Sequence, residues 1–306
     1  MDIDPQLTVD RDAQRELFAE LLQFKSSARL LRVHDKQGTG KSTLLKRLEY
    51  YCKYESDKAV SFVPLESFDS QTNFELIRKI RQDLKPLQFA EFDRLRDAYE
   101  KQDAVEFAAP GGVSGKVDLR GASVTGGVQA EIATVFQGPQ YIQNYNAAGS
   151  AWNSRLEKYA EERCIEAFLR ELKALGATLE VVLLFDSWDN NRTSSERRDW
   201  LLRTLIRPYC LDAAARPAKL VAVVAGQDVP DFKVMWDSKH VDSVREKPLE
   251  VWGKDHVRDF LIVQGFKDLT PKDIEYVWGL VNEGASLQDA IDVTVGIQQL
   301  RKRKAG

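Results

Sequence analysis

The stretch that decides the fold is His34-Asp35-Lys36-Gln37-Gly38-Thr39-Gly40-Lys41-Ser42-Thr43. It follows the apolar run Leu30–Val33 and precedes K-S-T-L-L-K-R-L, Lys41–Leu48, which places it at a strand-to-helix corner. Glycines at 38 and 40 let the backbone turn until several N–H groups converge, and the helix that follows adds its dipole, typically under ~1 kcal/mol and up to ~2 in favourable geometry. The segment is therefore expected to cradle a polyphosphate with Gly38, Thr39, Gly40, Lys41, Ser42 and Thr43. Lys41 would reach the outer phosphates and the Ser42 hydroxyl would ligate magnesium. Asp35 stands where such a loop usually has its first glycine; it tolerates left-handed backbone but adds a negative charge.

Outward from the loop, the chain alternates strand and helix patterns, which predicts helices around a mostly parallel sheet. Helices are expected at about 11–24, 41–53, 72–84, 150–175 and 195–207, the fourth ending at Gly176 and the last closed off by Pro208. Strands are expected at 30–34, about 59–64, 178–186 and 219–225. The last two are almost continuously apolar, as parallel strands covered on both faces should be. From Lys254 onward only helical patterns appear, with Thr270 capping a helix that has Pro271 at its first position. Between about 108 and 146 the composition shifts to glycine and alternating valine, an inserted β-hairpin or three-strand flap.

The strand V-V-L-L-F-D ends at Asp186, where a carboxylate would hold magnesium, as in the second Walker motif; capping of the next turn is the alternative. Ser187 occupies the place where motor-type ATPases carry a glutamate that activates water, leaving Asp189 as the nearest substitute base. Gln227, after the last apolar strand, is either a γ-phosphate sensor or a loop residue making local turn bonds.

Four segments together resemble the STAND NTPases, a signalling branch close to the AAA+ ATPases. They are L-T-V-D-R-D-A-Q-R-E-L, Leu7–Leu17; G-T-G-K-S-T-L-L, Gly38–Leu45; L-L-F-D-S-W-D, Leu183–Asp189; and L-E-V-W-G-K-D-H-V-R-D-F-L, Leu249–Leu261. The resemblance implies a nucleotide switch that holds ADP when closed, exchanges it for ATP and oligomerises. It also implies that Arg11 lies near the adenine or the helical lid. Two departures stand out: the γ-phosphate sensor, often arginine, is Gln227, and the lid has N-E-G-A-S-L at 282–287 in place of a Gly-x-Pro motif.

Composition bounds the rest. Apolar residues at 43% and charged residues at 30% suit a globular chain with a large core. The net charge of −3 argues against nucleic acid as a partner, and the basic run Arg301–Lys304 reads as a solvated, frayed helix end. Cys52, Cys164 and Cys210 are odd in number and far apart, so no disulfide framework is expected, and a reducing cytoplasm fits. His34, His240 and His256 lack ligand spacing, and no apolar run approaches the ~18 residues that would span a bilayer.

The sequence thus predicts an α/β P-loop NTPase three-layer sandwich, 1–252, with a β-rich insert and a helical lid at 253–306. Its expected ligands are ATP or ADP with Mg2+ (magnesium held by Ser42 and Asp186), and its chemistry is expected to involve Lys41, Asp186 and Asp189. A protein effector or self-association is the expected partner; membrane and nucleic acid are not.

Overall fold

Five short strands build one parallel sheet: β1 Leu30–His34, β2 Ala59–Pro64, β6 Val181–Asp186, β7 Leu220–Gly226 and β8 Val244–Glu246, in the order β2-β6-β7-β1-β8. The computed structural model describes residues 11–36, 39–85, 87–101, 104–108, 114–118, 123–126, 149–189, 192–232, 242–246, 248–249, 252–266, 268–283, 285 and 287–305. Every residue of β6 and β7 is buried, the signature of strands covered on both faces. The chain leaves β1 for the far edge at β2, works back through β6 to β7 beside β1, then crosses to β8 on the other side. The C-terminal end of β1 is therefore a switch point, where open α/β sheets bind ligands. The edge strand β8 escaped the sequence reading because three residues are too short for a periodic signal.

The chain forms two compact units. The first comprises 1–71, 82–86 and 176–306 and contains this sheet. Helices α1 Asp12–Leu22 and α2 Lys41–Tyr50 pack Phe18, Leu21, Leu44, Leu45 and Leu48 against Leu31, Val33, Val182, Val221 and Val223. Each of these side chains is essentially inaccessible, and full burial of such a residue stabilises by about 1.5–3 kcal/mol. α2 continues through Tyr51–Glu55 as a wider π turn.

The later helices depart from expectation in two places. The helix α6 Ser195–Leu201 does not stop at Pro208; it widens into a π-helical segment through Leu211. A wider helix relieves the clash between the proline ring and the preceding turn, and burial of Leu205, Ile206, Tyr209, Cys210 and Leu211 holds it there. The helix α5 Gly149–Thr178 likewise runs past Gly176. There the missing side chain admits Pro217, 3.1 Å from where a Cβ would stand, and Gly176 O accepts the Lys219 N–H at 2.7 Å.

Three helices close the first unit: α7 Lys254–Val263, α8 Pro271–Asn282 and α9 Leu287–Ala305, packed around Val257, Phe260, Leu261, Val277, Ala290 and Ile291. Thr270 and Asp273 form a reciprocal capping box with Pro271 inside it. Arg301 is not frayed. It donates to Asp273 Oδ2 at 2.5 Å and to Asp268 O at 3.0 Å, holding the Asp273 carboxyl below its usual range together with Thr270.

The second unit, 72–81 and 87–175, contains most of α3 Asn73–Asp83, α4 Ala90–Glu100 and most of α5. Phe74, Phe89, Phe92, Tyr99 and Phe168 pack ring to ring inside it. Glu171 accepts the Glu91 and Phe92 N–H groups at 3.0 Å each, satisfying orphan donors at the start of α4. The unit also carries the β-rich insert as an antiparallel sheet of β3 Ala104–Ala108, β4 Ser114–Asp118 and β5 Ser123–Gly126. It begins slightly earlier than the composition shift suggested. The expected strand residues Val128, Ala130 and Ile132 lie outside the described residues.

Candidate functional site

The site is assembled where β1, β7, β6 and β2 end on the same edge. Strand register aligns His34 with Gly226, Phe185 with Val224, and Pro64 with Asp186. The loop after β1 turns at Gly40, whose φ of +87° at the N-cap of α2 is a conformation that glycine adopts without a Cβ penalty. Gln37 and Gly38 lie outside the described residues. Lys41 is buried, and its ammonium donates to Asp35 O at 2.8 Å and Lys36 O at 2.5 Å, gripping the loop's own backbone. Burial pulls the Lys41 pKa below its ordinary value, while the carboxylates of Asp189, Asp35 and Asp186 act in the opposite direction.

Asp35 does not use the left-handed backbone that aspartate tolerates; among the described residues, the non-glycine positions with positive φ are Phe24, Asp57 and Ser187. Its Oδ1 instead accepts the Lys36 N–H at 2.6 Å, while Oδ2 is buried with no hydrogen-bond partner among the described residues. A carboxylate oxygen without a partner in a loop shaped for anions opposes phosphate by charge and leaves a polar atom unsatisfied.

Asp186 is 6% exposed at the end of β6. Burial raises its pKa, opposed by hydrogen bonds from the Ser42 hydroxyl and the Ser187 N–H and assisted by Glu66 and Asp189. A neighbouring hydroxyl and carboxylate are the hard oxygen donors that Mg2+ takes, and an ion carrying two positive charges would offset the cost of the buried carboxylate. The residues fit the cation. Thr43 follows on the first turn of α2 and is partly exposed.

The backbone after Asp186 is tightly constrained. Ser187 has φ +62°, and its carbonyl accepts both the Asp189 N–H and the Thr193 hydroxyl at 2.8 Å. Trp188 N donates to Ala225 O at 2.9 Å, and the Trp188 carbonyl oxygen lies 2.2 Å from where a Cβ on Gly226 would stand. Asp189 Oδ1 accepts the Gln227 N–H, and its Oδ2 lies 3.8 Å from Arg192 Nε. The structure therefore brings Asp189 and Gln227 together, through the Gln227 backbone, with Gln227 itself exposed.

Arg11 links the loop to the helical segment. Its guanidinium donates to Thr39 O at 2.8 Å and lies over the Trp252 ring, 5.5 Å from the centroid. Trp252 O in turn accepts from Trp278 Nε1 at 2.9 Å. Sequence reasoning missed Glu66 and Arg192, which join the cluster through an ion pair at 3.1 Å. The only trace of Glu66 in the sequence is an acidic residue two positions beyond the end of a strand.

A glycine loop at the switch point of a five-stranded parallel sheet, faced by an aspartate at the end of β6, defines a P-loop NTPase fold. No protein family matches the sequence, and no curated protein matches it. Two of the similar solved structures are the following. The Orc1 protein of Aeropyrum pernix in complex with DNA shows 16% identity and a TM-score of 0.44, covering 96% of this chain and 61% of that one. Cdc6p from Pyrobaculum aerophilum shows 13% identity and a TM-score of 0.47, covering 95% and 62%. The chain spans about three-fifths of the length of each. At these scores and identities the likenesses carry no functional argument for this chain.

The expectation against nucleic acid is corrected: a net charge of −3 does not exclude such a partner, and one of these similar structures is a DNA complex. The physical reason is that net charge sums over a whole chain, whereas phosphate contacts are local. No helix among the described residues is long and apolar enough to cross a membrane.

Proposed function

We propose that the chain binds ATP with Mg2+ and acts as a regulatory switch of the STAND type, with slow hydrolysis, controlling self-association or a protein effector. The observation that carries this reading is that Ser42 meets the buried carboxylate of Asp186, one residue from the buried Lys41, at the switch point of the sheet. In this reading the backbone from Gly38 to Thr43 and Lys41 would hold the phosphates, and Ser42 and Asp186 would hold the cation, which would supply charge neutralisation at the γ-phosphate. Lys41 must exchange the carbonyls of Asp35 and Lys36 for phosphate oxygens on binding. Arg11 is suited to report loop occupancy to the helical lid, since one guanidinium touches both Thr39 and Trp252.

The test is titration of wild type and Lys41→Ala with ATP, ADP and magnesium, with particle mass measured in each state. Heat of binding in wild type and its loss in Lys41→Ala are expected, with mass differing between the ATP and ADP states. No heat from wild type with any nucleotide would sink the reading. Turnover many times per second by the isolated chain would refute the slow switch.

A further inference from the structure

We propose that Glu66 is the general base that activates the hydrolytic water, taking the role that the residue directly after Asp186 lacks. The inference rests on the nucleotide reading above and adds its reacting carboxylate. Ser187 has no carboxylate to offer, and its left-handed backbone is fixed by two hydrogen bonds to its carbonyl. Asp189, the nearest acid in sequence, is committed elsewhere. Its Oδ1 takes the Gln227 N–H, its Oδ2 faces Arg192, and its side chain is only 11% exposed. Such a carboxylate ties two loops together and has little surface on which to hold a water.

Glu66 differs on each count. It lies two residues beyond Pro64, the β2 residue in register with Asp186, so it extends from the same sheet edge. Its side chain is 45% exposed, enough to hold a water, and its Oε2 is oriented by Arg192 Nη1 at 3.1 Å. The turn that carries it is fixed from below. Arg197 Nη2 donates to Phe68 O at 2.8 Å and to Gln71 O at 2.5 Å, and Ser194 N donates to Asp69 Oδ1 at 2.6 Å. Arg192 reaches both Glu66 and Asp189, joining the exposed carboxylate to the structural one. The charge of Glu66 is also felt at Asp186, where it helps to raise the carboxyl pKa.

The step balances without a further reagent. A water oxygen forms a bond to the γ-phosphorus while its proton passes to the Glu66 carboxylate. The bond from that phosphorus to the β–γ bridging oxygen breaks, and its electron pair leaves on the nucleoside diphosphate beside Lys41. Glu66 then returns its proton to solvent.

The experiment measures kcat and ATP affinity for wild type, Glu66→Gln and Asp189→Asn, with thermal midpoints as a check on folding. Glu66→Gln is expected to lose about 10²–10⁴-fold in kcat while ATP affinity stays within about threefold, the effect of removing a general base alone. Wild-type turnover in Glu66→Gln overturns the proposal, as does selective loss of kcat in Asp189→Asn at unchanged affinity. If wild type binds ATP but never hydrolyses it, the role of Glu66 fails while nucleotide binding stands. If ATP does not bind at all, the functional reading itself fails.

Discussion

The Ser42 side chain on the first turn of α2 meets the carboxylate of Asp186 at the end of β6 and favours its ionised form, a pairing that spans 144 positions of sequence. Two oxygen donors that suit a magnesium ion are thereby held together before any ion arrives, and the carboxylate is buried to achieve it.

That burial gives a signed expectation. The folded-state pKa of Asp186 is raised above the ordinary aspartate value of 3.8, so its favourable contribution is fully present below that value and is lost as pH rises through the raised pKa. Asp186→Asn should therefore gain thermal stability over wild type as pH rises from about 4 toward neutrality. The same variant should lose the magnesium-dependent part of its ATP affinity. Melting curves across pH, and titrations with and without magnesium, check both halves.

Asp35 should oppose the ligand. Its unpartnered Oδ2 places negative charge in the loop that the phosphates must enter. Asp35→Asn keeps an acceptor for the Lys36 N–H and removes the charge, and should tighten ATP binding by about three- to tenfold, or roughly 1 kcal/mol. Calorimetric titration measures it; equal or weaker binding would show that the Asp35 charge is screened.

Gly226 is where two loops touch backbone to backbone. With the Trp188 oxygen 2.2 Å from where an alanine methyl would stand, Gly226→Ala should destabilise the fold by about 1–3 kcal/mol or more, read as a lower denaturant midpoint.

Ser187 stores backbone strain beside the aspartate. Left-handed backbone costs an L-residue about 1–2 kcal/mol, partly offset in glycine by its greater unfolded-state freedom. Ser187→Gly should accordingly raise stability by about 0.5–1 kcal/mol, measured by denaturant unfolding. A loss of stability would show that the Ser187 side chain contributes more than its backbone strain costs.

Much of the architecture was legible because it is written locally. The runs Leu30–His34, Val181–Asp186 and Leu220–Gly226 are apolar enough to declare buried parallel strands, and Thr270-Pro271 with Asp273 spells a helix start. The glycine loop's place at a strand-to-helix corner was legible because its residues are adjacent in sequence. Stop signals were read less well: Pro208 and Gly176 ordinarily end helices, but here burial of Ile206, Tyr209 and Cys210, and the approach of Pro217, outweighed local preference.

The sequence by itself determined most of the segments that become strands and helices and the glycine loop at one strand-to-helix corner, since periodicity and turn residues depend on neighbours a few residues apart. Only tertiary structure decided that Asp189 is bound to Gln227, that Trp188 closes on Gly226, and that Glu66 shares an edge with Asp186. Those relationships follow from how the strands line up across the sheet, which brings together residues tens to more than a hundred positions apart and leaves no periodic trace in either partner.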